Sequence, residues 1–262
     1  MAAEGSGTAG SQALMRGLDV IEAVASGATT LNLLSAELGL TRSTAHRLAT
    51  SLVKRGYLAF APRAGYRLGA KLLQLGYLAQ SQTDMLQAAR PHLEALSLLT
   101  GDAVHFGIRD GDRALYLDKM AGQRRITISS RIGERQPLSS TGLGKALMLD
   151  HDEAYWRERL AEETNQGSAT TDPDAWVERM HGYVRAGYAF DLEENEDQIR
   201  CVAAPVRDVS GRIVGAISVS SAAQYMNDER MQSLGREVTQ AARAISADLG
   251  WSSPAVECED AA

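Results

Sequence analysis

The feature that most constrains this chain is a helix–turn–helix pattern near its start, LNLLSAELGLTRSTAHRLATSLVKRG. A short helix over residues 31–38 precedes Gly39 and Leu40, which fit a tight turn. Thr41 then stands where its hydroxyl can cap a helix that begins at Arg42. Two helices joined by so short a turn, the second with a polar N-terminal end, fit the major groove of B-DNA. The pattern predicts a DNA-reading head.

The second helix of this pattern has two different faces. Ala45, Leu48 and Leu52 repeat at helical spacing and are expected to face inward. Hydrogen-bonding side chains occupy the outer side near the start of the helix. We therefore expect a DNA-facing set that consists of Thr41, Arg42, Ser43, Thr44, His46 and Arg47.

A helix before the pattern and a hairpin after it complete the predicted head. Leu14, Leu18, Ile21 and Ala25 recur at helical spacing, and Gly27 ends that run. After Gly56, residues 57–60 and 66–68 favour two strands, whose aromatic and leucine side chains are expected to pack beneath the helices. Arg63 at the hairpin tip and Arg16 on the first helix are expected to contact the DNA backbone or minor groove.

The net charge of −6 is the sum over two unlike parts of the chain. Residues 1–80 contain eight Lys and Arg against four acids, a balance of +4, so the remaining residues carry −10. No acidic residue lies between Glu37 and Asp84, which would allow a positive patch to face a polyanion. On charge alone, a solvated basic face is the commoner explanation.

Taken together, these motifs resemble the winged helix-turn-helix domain of the IclR family of bacterial transcriptional regulators. The resemblance is carried by Arg16, by the turn Gly39-Leu40, by Ser43, Thr44 and Arg47, and by Gly56-Tyr57. It implies a regulator that binds double-stranded operator DNA. Because one short recognition helix reads too few bases for operator specificity, we expect a homodimer or a dimer of dimers on a two-fold site.

The acidic remainder favours a second domain. Residues 69–100 favour helix, first as a linker and then, from about Asp84, as the start of the new domain, in which Pro91 falls in the early turns or bends the helix. Alternating apolar residues predict strands at 104–108, 115–117, 125–130, 200–206 and 212–220, and helices are predicted at 142–149, 152–163, 173–187 and 228–249. The sum is an α+β domain in which helices pack on an antiparallel sheet.

The predicted organisation of the chain follows from these segments. We expect a flexible tail at 1–10, a winged helix-turn-helix domain at 11–70, a linker helix at 71–83, an effector-binding domain at 84–250 and a flexible tail at 251–262.

This second domain also resembles the effector-binding domain of the same family, which is similar to the GAF fold. The motifs that carry the resemblance are Arg131-Ile132-Gly133 with Pro137-Leu138, residues 140–147, Gly187-Tyr188-Ala189 with Glu193-Glu194, and residues 201–206. The resemblance implies a pocket for a small organic acid, such as a sugar acid, a keto acid or an aromatic acid. It assigns to that pocket Ile126, Ile128, Thr141, Gly142, Leu143, Asp191, Cys201, Ser218 and Ser220. The family usually has a glycine at the position of Gln198.

The residues themselves offer matching chemistry. Gly142 opens a predicted helix whose free amides can hold a carboxylate, while serine hydroxyls and Asp191 can bind polar groups of a ligand. Each of these features also has a simpler explanation. A glycine before a helix, for example, is more often part of a turn than of a ligand site. The simpler role for Lys145 is to pair with an acid inside the fold, and a lone cysteine such as Cys201 is more often a small core residue.

Two other functions compete with an acid-sensing regulator. A GAF-like redox sensor would act through Cys201, and a cysteine-dependent enzyme would pair it with a histidine. The candidate partners are His92, His105, His151 and His181. No histidine or cysteine spacing fits a metal site, and no glycine loop fits a phosphate, so we expect no catalysis, metal or cofactor.

The sequence also indicates in which cellular compartment the protein is expected. It contains no run of 18 apolar residues and no signal-like start, so we expect a cytoplasmic protein with no membrane partner. Its two cysteines, Cys201 and Cys258, are too few for a disulfide framework.

Overall fold

The protein is represented by a computed structural model that describes residues 9–124, 128–165 and 172–252. The chain divides into two compact units between Gln82 and Thr83. The predicted tails lie outside the described residues at 1–8 and 253–262.

The first unit is a small helical domain with a two-stranded hairpin. Its elements are α1 (Ala9–Ala25), α2 (Leu31–Glu37), α3 (Arg42–Lys54), β1 (Leu58–Ala61), β2 (Gly65–Leu68) and α4 (Ala70–Gln82). The buried core contains Val20, Ala23, Val24, Ala28, Leu34, Ala45, Ala49, Leu58 and Tyr66. The predicted helix–turn–helix and hairpin are therefore both present, and α4 occupies the place of the predicted linker helix.

The apolar stripe by which the sequence marks α1 is not its buried face. Leu14 and Leu18 are 64% and 44% exposed, whereas Val20, Ala23 and Val24 enter the core. The helix carries two apolar stripes, and only its C-terminal half lies against the rest of the unit. It also begins earlier than expected, since residues 9 and 10 of the predicted tail are helical.

The hairpin buries only part of its apolar face. Leu58 pairs with Leu68 and Phe60 with Tyr66, so all four side chains share one face of the two strands. Leu58 and Tyr66 are buried as expected. Phe60 and Leu68 are exposed, contrary to expectation, because the helices cover only the diagonal formed by the other two.

The second unit is built on one antiparallel sheet with the strand order β5-β4-β3-β8-β7-β6. Its elements are α5 (Met85–Thr100), β3 (Ala103–Asp110), β4 (Arg113–Met120), β5 (Arg135–Pro137), α6 (Gly142–Leu147), α7 (Glu153–Asn165), α8 (Pro173–Ala186), β6 (Ala189–Leu192), β7 (Ile199–Arg207), β8 (Ile213–Ala222) and α9 (Asp228–Asp248). This is the predicted α+β fold with helices on an antiparallel sheet.

Each face of this sheet has its own apolar core. Val104, Phe106 and Ile217 pack with side chains of α5 and α9 on one face. Leu143 and Trp176 belong to the core on the other face, which α6, α7 and α8 cover. Because strand residues alternate between faces, His105 and Ser218 point toward the α6 side.

One predicted strand is absent from the described residues. Residues 125–127 lie outside them, and Ile128 to Ser130 form no strand. The Lys119 ammonium instead donates to the carbonyls of Ile128, at 2.8 Å, and Ser130, at 2.7 Å, so two carbonyls of this segment are bound by a side chain. Strands β5 and β6 were not predicted, since segments this short carry little alternation.

Pro91 lies within α5, seven residues from its start, and the helix continues past it. In the described part of the chain, no helix is both long and apolar enough to cross a membrane.

Candidate functional site

The recognition helix α3 begins as the sequence predicts. Thr41 has an extended backbone, and its hydroxyl accepts a hydrogen bond from the Thr44 amide at 3.3 Å. Ala45 and Ala49 are fully buried and fix the inner face of the helix. Capping and burial together determine which side chains face outward at the N-terminal end.

The predicted DNA-facing side chains form an exposed, positively charged surface. Thr41, Arg42, Ser43, His46 and Arg47 are exposed, and Thr44 is half-buried. Arg16 on α1 and Arg63 at the hairpin tip are exposed as well. Among the described residues, no carboxylate lies within 4.0 Å of the guanidinium of Arg16, Arg42, Arg47 or Arg63. Several other arginines of the chain do form ion pairs with acids. The charge of the four exposed arginines is therefore available for phosphates.

The hairpin is fixed to the head through its base. The Tyr66 amide donates to the Thr29 carbonyl at 2.7 Å. Gly65 has a φ of +78°, and a Cβ at this position would lie 2.1 Å from the same carbonyl oxygen. Only glycine lets the two backbones approach this closely. The position of Arg63 thus depends on a contact two residues away.

In the second unit, three strands bring predicted effector residues into one row. Asp191 on β6 pairs with Cys201 on β7, and Cys201 pairs with Ser220 on β8. Ser218 lies two residues along β8 and faces the same side of the sheet. Asp191, Ser218 and Ser220 are all buried. The serines therefore do not lie on an exposed strand face.

The N-terminal end of α6 lies directly against this row. A Cβ at Gly142 would come within 3.2 Å of the Cys201 Cβ and 3.6 Å of the Asp191 Cβ. Thr141 caps the helix by accepting from the Gly144 amide at 2.9 Å, and Leu143 packs in the core. Because α6 has only six residues, its dipole is weaker than that of a long helix.

A buried carboxylate fixes the turn that leads into α6. Glu163 on α7 accepts from the amides of Leu138, at 2.7 Å, and Ser139, at 2.8 Å, and also binds the Ser139 hydroxyl. It lies far from this turn in the sequence, and no local pattern marks it.

Asp191 and Lys145 form the charged part of this region. Burial raises the pKa of Asp191 to about 6, although the positive charge of Lys145 favours its ionised form. Asp191 accepts from the Glu194 amide at 2.8 Å. Burial lowers the pKa of Lys145 to about 8, and its ammonium binds Glu194 and the Phe190 carbonyl. Lys145 therefore pairs with an acid inside the fold.

Cys201 is half-buried, and its sulfur lies 3.0 Å from the Ser220 hydroxyl oxygen. Burial and the nearby Asp191 raise the pKa of the thiol. A thiol is a poor nucleophile compared with the thiolate. The surroundings of Cys201 thus favour a polar wall of a pocket over a reactive centre.

His105 lies beside this row, although sequence reasoning did not assign it to the pocket. It is buried, with Nε2 2.8 Å from the Ser130 hydroxyl and Nδ1 3.5 Å from the Ser220 hydroxyl. Burial and the charge of Lys119 lower its pKa to about 3, so the ring is neutral. Because His105 alternates with Val104 and Phe106 along β3, it lies on the opposite face of the sheet from these two residues. Its neighbours on that face become evident only from the pairing of the strands.

Two predicted pocket residues belong to the segment after β4. Ile126 lies outside the described residues. Ile128 is half-buried in a loop, and Ser129 donates to the Glu196 carboxylate at 3.1 Å. Ser130 brings this segment to His105. The segment therefore reaches the row through a loop and not through the predicted strand.

The usual glycine turn before the cysteine is built without glycine. Gln198 has a φ of +61°, in the left-handed region that glycine normally occupies. Glu193 has a φ of +67°, and its carboxylate accepts from the Gln198 amide at 3.2 Å. The turn of the family pattern is therefore kept, but a left-handed backbone at a non-glycine residue costs conformational free energy.

The remaining histidines have other partners. His92 binds Asp248, His151 binds Arg109 and His181 binds Glu153. Only His105 is linked to Cys201, and that link passes through Ser220. Within the ranges described, no group of three His, Cys, Asp or Glu side chains is placed to hold a metal ion.

Both units match one family of known proteins. Residues 77–247 match the family described as bacterial transcriptional regulator IclR C-terminal, and residues 13–62 match the IclR helix-turn-helix domain. The chain is 34% identical over 260 residues to the DNA-binding transcriptional repressor YiaJ of Escherichia coli (strain K12), covering 96% of this chain and 92% of that protein. It is 32% identical to the HTH-type transcriptional regulator BhcR of Paracoccus denitrificans (strain Pd 1222), covering 94% and 89% of the two chains.

Solved structures agree with these matches. The crystal structure of the Agobacterium tumefaciens repressor BlcR has a TM-score of 0.79 at 25% identity, covering 92% of this chain and 98% of that one. Pseudomonas aeruginosa HmgR has a TM-score of 0.81 at 23% identity over 93% and 100% of the two chains, which shows the shared fold alone. From its recognition helix, its sheet domain and these relatives, we conclude that the chain belongs to the IclR family of DNA-binding transcriptional regulators.

Proposed function

We propose that this chain is a repressor that binds a two-fold operator and senses a small organic acid, such as a sugar acid, a keto acid or an aromatic acid. The relatives YiaJ and BlcR are named as repressors. The observation that carries the sensing role is the row of polar side chains formed by Asp191, Cys201 and Ser220 inside a largely apolar domain.

A row of buried polar side chains of this kind can bind a small polar ligand. Ser218 and Ser220 are only 1% and 4% exposed, and the Ser220 hydroxyl lies within hydrogen-bonding distance of Cys201 and His105, so polar groups line this part of the interior. Gly142 lets the start of α6 lie directly against Cys201 and Asp191, because a Cβ there would come within 3.2 Å of the Cys201 Cβ. These groups offer hydroxyl donors and one acceptor to a small polar ligand, and the α6 amides offer donors to its carboxylate.

The DNA-binding role rests on the first unit. Arg42 and Arg47 are exposed near the start of α3, and we assign them to base edges and phosphates. We assign the exposed Arg16 and Arg63 to the backbone or minor groove. The eight proposed contact residues are Arg16, Thr41, Arg42, Ser43, Thr44, His46, Arg47 and Arg63.

A dimer or a dimer of dimers is supported by apolar surface on the same unit. Leu14 and Leu18 on α1, and Leu73 and Tyr77 on α4, are exposed. Exposed apolar stripes of this kind are typical of surfaces that a partner covers. A second copy would cover them and supply the second recognition helix that a two-fold operator needs.

The competing functions find less support. The raised pKa of the Cys201 thiol opposes both a redox sensor and a cysteine nucleophile. A histidine of pKa about 3 is a poor general base at neutral pH, and His105 contacts Cys201 only through Ser220.

A screen of small carboxylic acids by thermal shift, made on the full chain, tests the sensing role. The acid with the largest shift is then titrated by calorimetry into the wild type, Asp191→Ala and Ser218→Ala. Loss of one hydrogen-bonding partner should weaken binding severalfold to about a hundredfold. Asp174→Ala is the matched control, because the Asp174 side chain is 84% exposed on α8. Equal affinity in the wild type and the Asp191 variant would place the pocket elsewhere.

A further inference from the structure

A second cleft lies in the effector domain, away from the polar row. It has a volume of about 440 Å³ and lies between the start of β8 and the loop that follows α6. Leu147, Ile213 and Val214 form its apolar wall. This volume is within the range of small-molecule sites. None of the residues assigned to the effector pocket lines it.

Arg109 contributes an unmatched positive charge to this cleft. Its Nη1 donates to the His151 ring at 2.9 Å and to the Tyr155 hydroxyl at 3.0 Å, and both partners are uncharged acceptors. Its guanidinium carbon lies 5.7 Å from the centroid of the Tyr155 ring. In the ranges that the structure describes, no carboxylate lies within 4.0 Å of this guanidinium, in contrast to Arg207.

The other charged groups of the cleft are already paired. Asp150 accepts from both terminal nitrogens of Arg207, at 2.6 and 2.7 Å. Arg212 donates to Asp208 at 3.2 Å. Among the residues that the structure describes, Arg109 is therefore the one cation of this cleft without a carboxylate partner.

His151 holds Arg109 without neutralising it. A guanidinium can only donate, so His151 Nε2 must accept and the ring is neutral. Burial and the charge of Arg109 lower the pKa of His151, against the opposing effect of Asp150 and Asp152. Arg109 is exposed, and its remaining N–H groups are directed neither to an acid nor to a carbonyl in the described ranges.

We propose that this cleft is a second ligand site, which binds a small carboxylate with an apolar body. The Arg109 guanidinium pairs with the carboxylate through two parallel N–H donors, and Leu147 and Ile213 contact the apolar body. The site is separate from the proposed effector pocket. The two sites have no residue in common, although Leu147 lies one turn from Leu143 on α6. Ile213 and Ser218 are five residues apart on β8, a distance of about 16 Å along a strand.

Calorimetry on the full chain tests this proposal with benzoate, which has an apolar ring, and formate, which has none. We expect saturable binding of benzoate and weaker binding of formate. Arg109→Gln should reduce the affinity for benzoate about tenfold to a hundredfold, because a charge-assisted hydrogen-bonded pair is lost. Arg185→Gln is the matched control, since Arg185 is 70% exposed on α8. Asp191→Ala and Arg47→Gln should bind benzoate like the wild type.

The titration of His151 by NMR gives a second readout that a merely structural role for Arg109 would not move. Benzoate bound to Arg109 offsets the positive charge that lowers the His151 pKa, so this pKa should rise on binding. In Arg109→Gln the pKa should already be higher, and benzoate should not change it further. His151→Asn assigns the resonance.

Three results would overturn the proposal. The first is no saturable binding of benzoate by the wild type. The second is loss of binding in Asp191→Ala but not in Arg109→Gln, which would place benzoate in the effector pocket and leave the proposed function intact. The third is loss in Arg47→Gln alone, which would place it on the DNA-reading surface.

Discussion

At the scale of single residues, Cys201 separates the two sensor chemistries that the sequence left open. A redox sensor needs an accessible thiolate, whereas an acid-binding pocket needs a small polar wall. Cys201 is half-buried beside Asp191 and Ser220, and its pKa is raised. This environment keeps the thiol protonated at neutral pH.

We therefore expect Cys201 to react slowly with a thiol reagent. In a Cys258→Ser background, the folded protein should react at least about tenfold more slowly than the same protein unfolded in denaturant. Peroxide should leave operator affinity unchanged. If peroxide alters operator affinity in this background but not when Cys201→Ser is added, the redox function is supported instead.

Gln198 is the residue at which this chain departs from its family pattern. An L-residue in the left-handed region costs about 1 to 2 kcal/mol of stability, and glycine removes this cost. The greater conformational entropy of glycine in the unfolded chain offsets part of the gain. Gln198→Gly should therefore stabilise the protein by about 0.5 to 1 kcal/mol in denaturant unfolding. Gln240→Gly, exposed within α9, is the control and should destabilise by about 1 kcal/mol. A loss of stability in Gln198→Gly would show that the side chain matters more than the backbone.

At the scale of elements, the hairpin of the first unit depends on a close backbone approach. Gly65→Ala should destabilise the first unit and weaken operator binding, because its Cβ would meet the Thr29 carbonyl. Gly111→Ala is the matched control, since Gly111 has a φ of +64° in another hairpin with nothing within 4 Å. It should cost only the left-handed conformation, about 1 to 2 kcal/mol, and leave operator affinity unchanged. Equal effects on the melting temperature in both variants would contradict the clash.

The long, periodic elements were the predictable ones. The sequence predicted α3 from its cap and period, and β7 and β8 from alternation around a turn, because these signals are local. The sequence does not indicate the buried face of α1, since the helix carries two apolar stripes and only tertiary packing chooses between them. Strand β6 was missed because a segment of four residues, Ala189–Leu192, carries too little alternation to be recognised.

The candidate pocket shows the same division. Asp191, Cys201 and Ser220 were assigned by resemblance to a family, and strand pairing now places them side by side. His105 and Glu163 were not assigned, because their roles come from contacts with residues far away in the sequence. A single sequence gives the alternation of a strand but not the register that brings two strands together.

At the scale of the whole molecule, the two units are joined by very few residues. Helix α4 ends at Gln82 and α5 begins at Met85, so only Thr83 and Asp84 separate the two helices. A ligand changes the regulator only through its different affinity for two arrangements of the protein. We propose that effector binding acts through the helix from about Gly69 to Thr83, observed as α4, and not by covering the DNA-reading surface.

This proposal predicts that the second unit binds the effector alone. A fragment of residues 84–250 should bind the acid found in the thermal-shift screen with nearly the affinity of the full chain. Circular dichroism checks that the fragment is folded. A folded fragment that does not bind an acid bound by the full chain would implicate the first unit in the site.

The central claim, that this chain is an acid-responsive DNA-binding regulator, is tested most directly by fluorescence anisotropy with an operator duplex, with and without the acid. The wild type should bind the operator and change affinity when the acid is added. Arg42→Ala and Arg47→Ala should each lose about 1 to 3 kcal/mol of operator binding. Asp191→Ala should bind the operator like the wild type without acid and lose most of the response. Unchanged operator affinity in both arginine variants, or a full response in Asp191→Ala, would contradict the account.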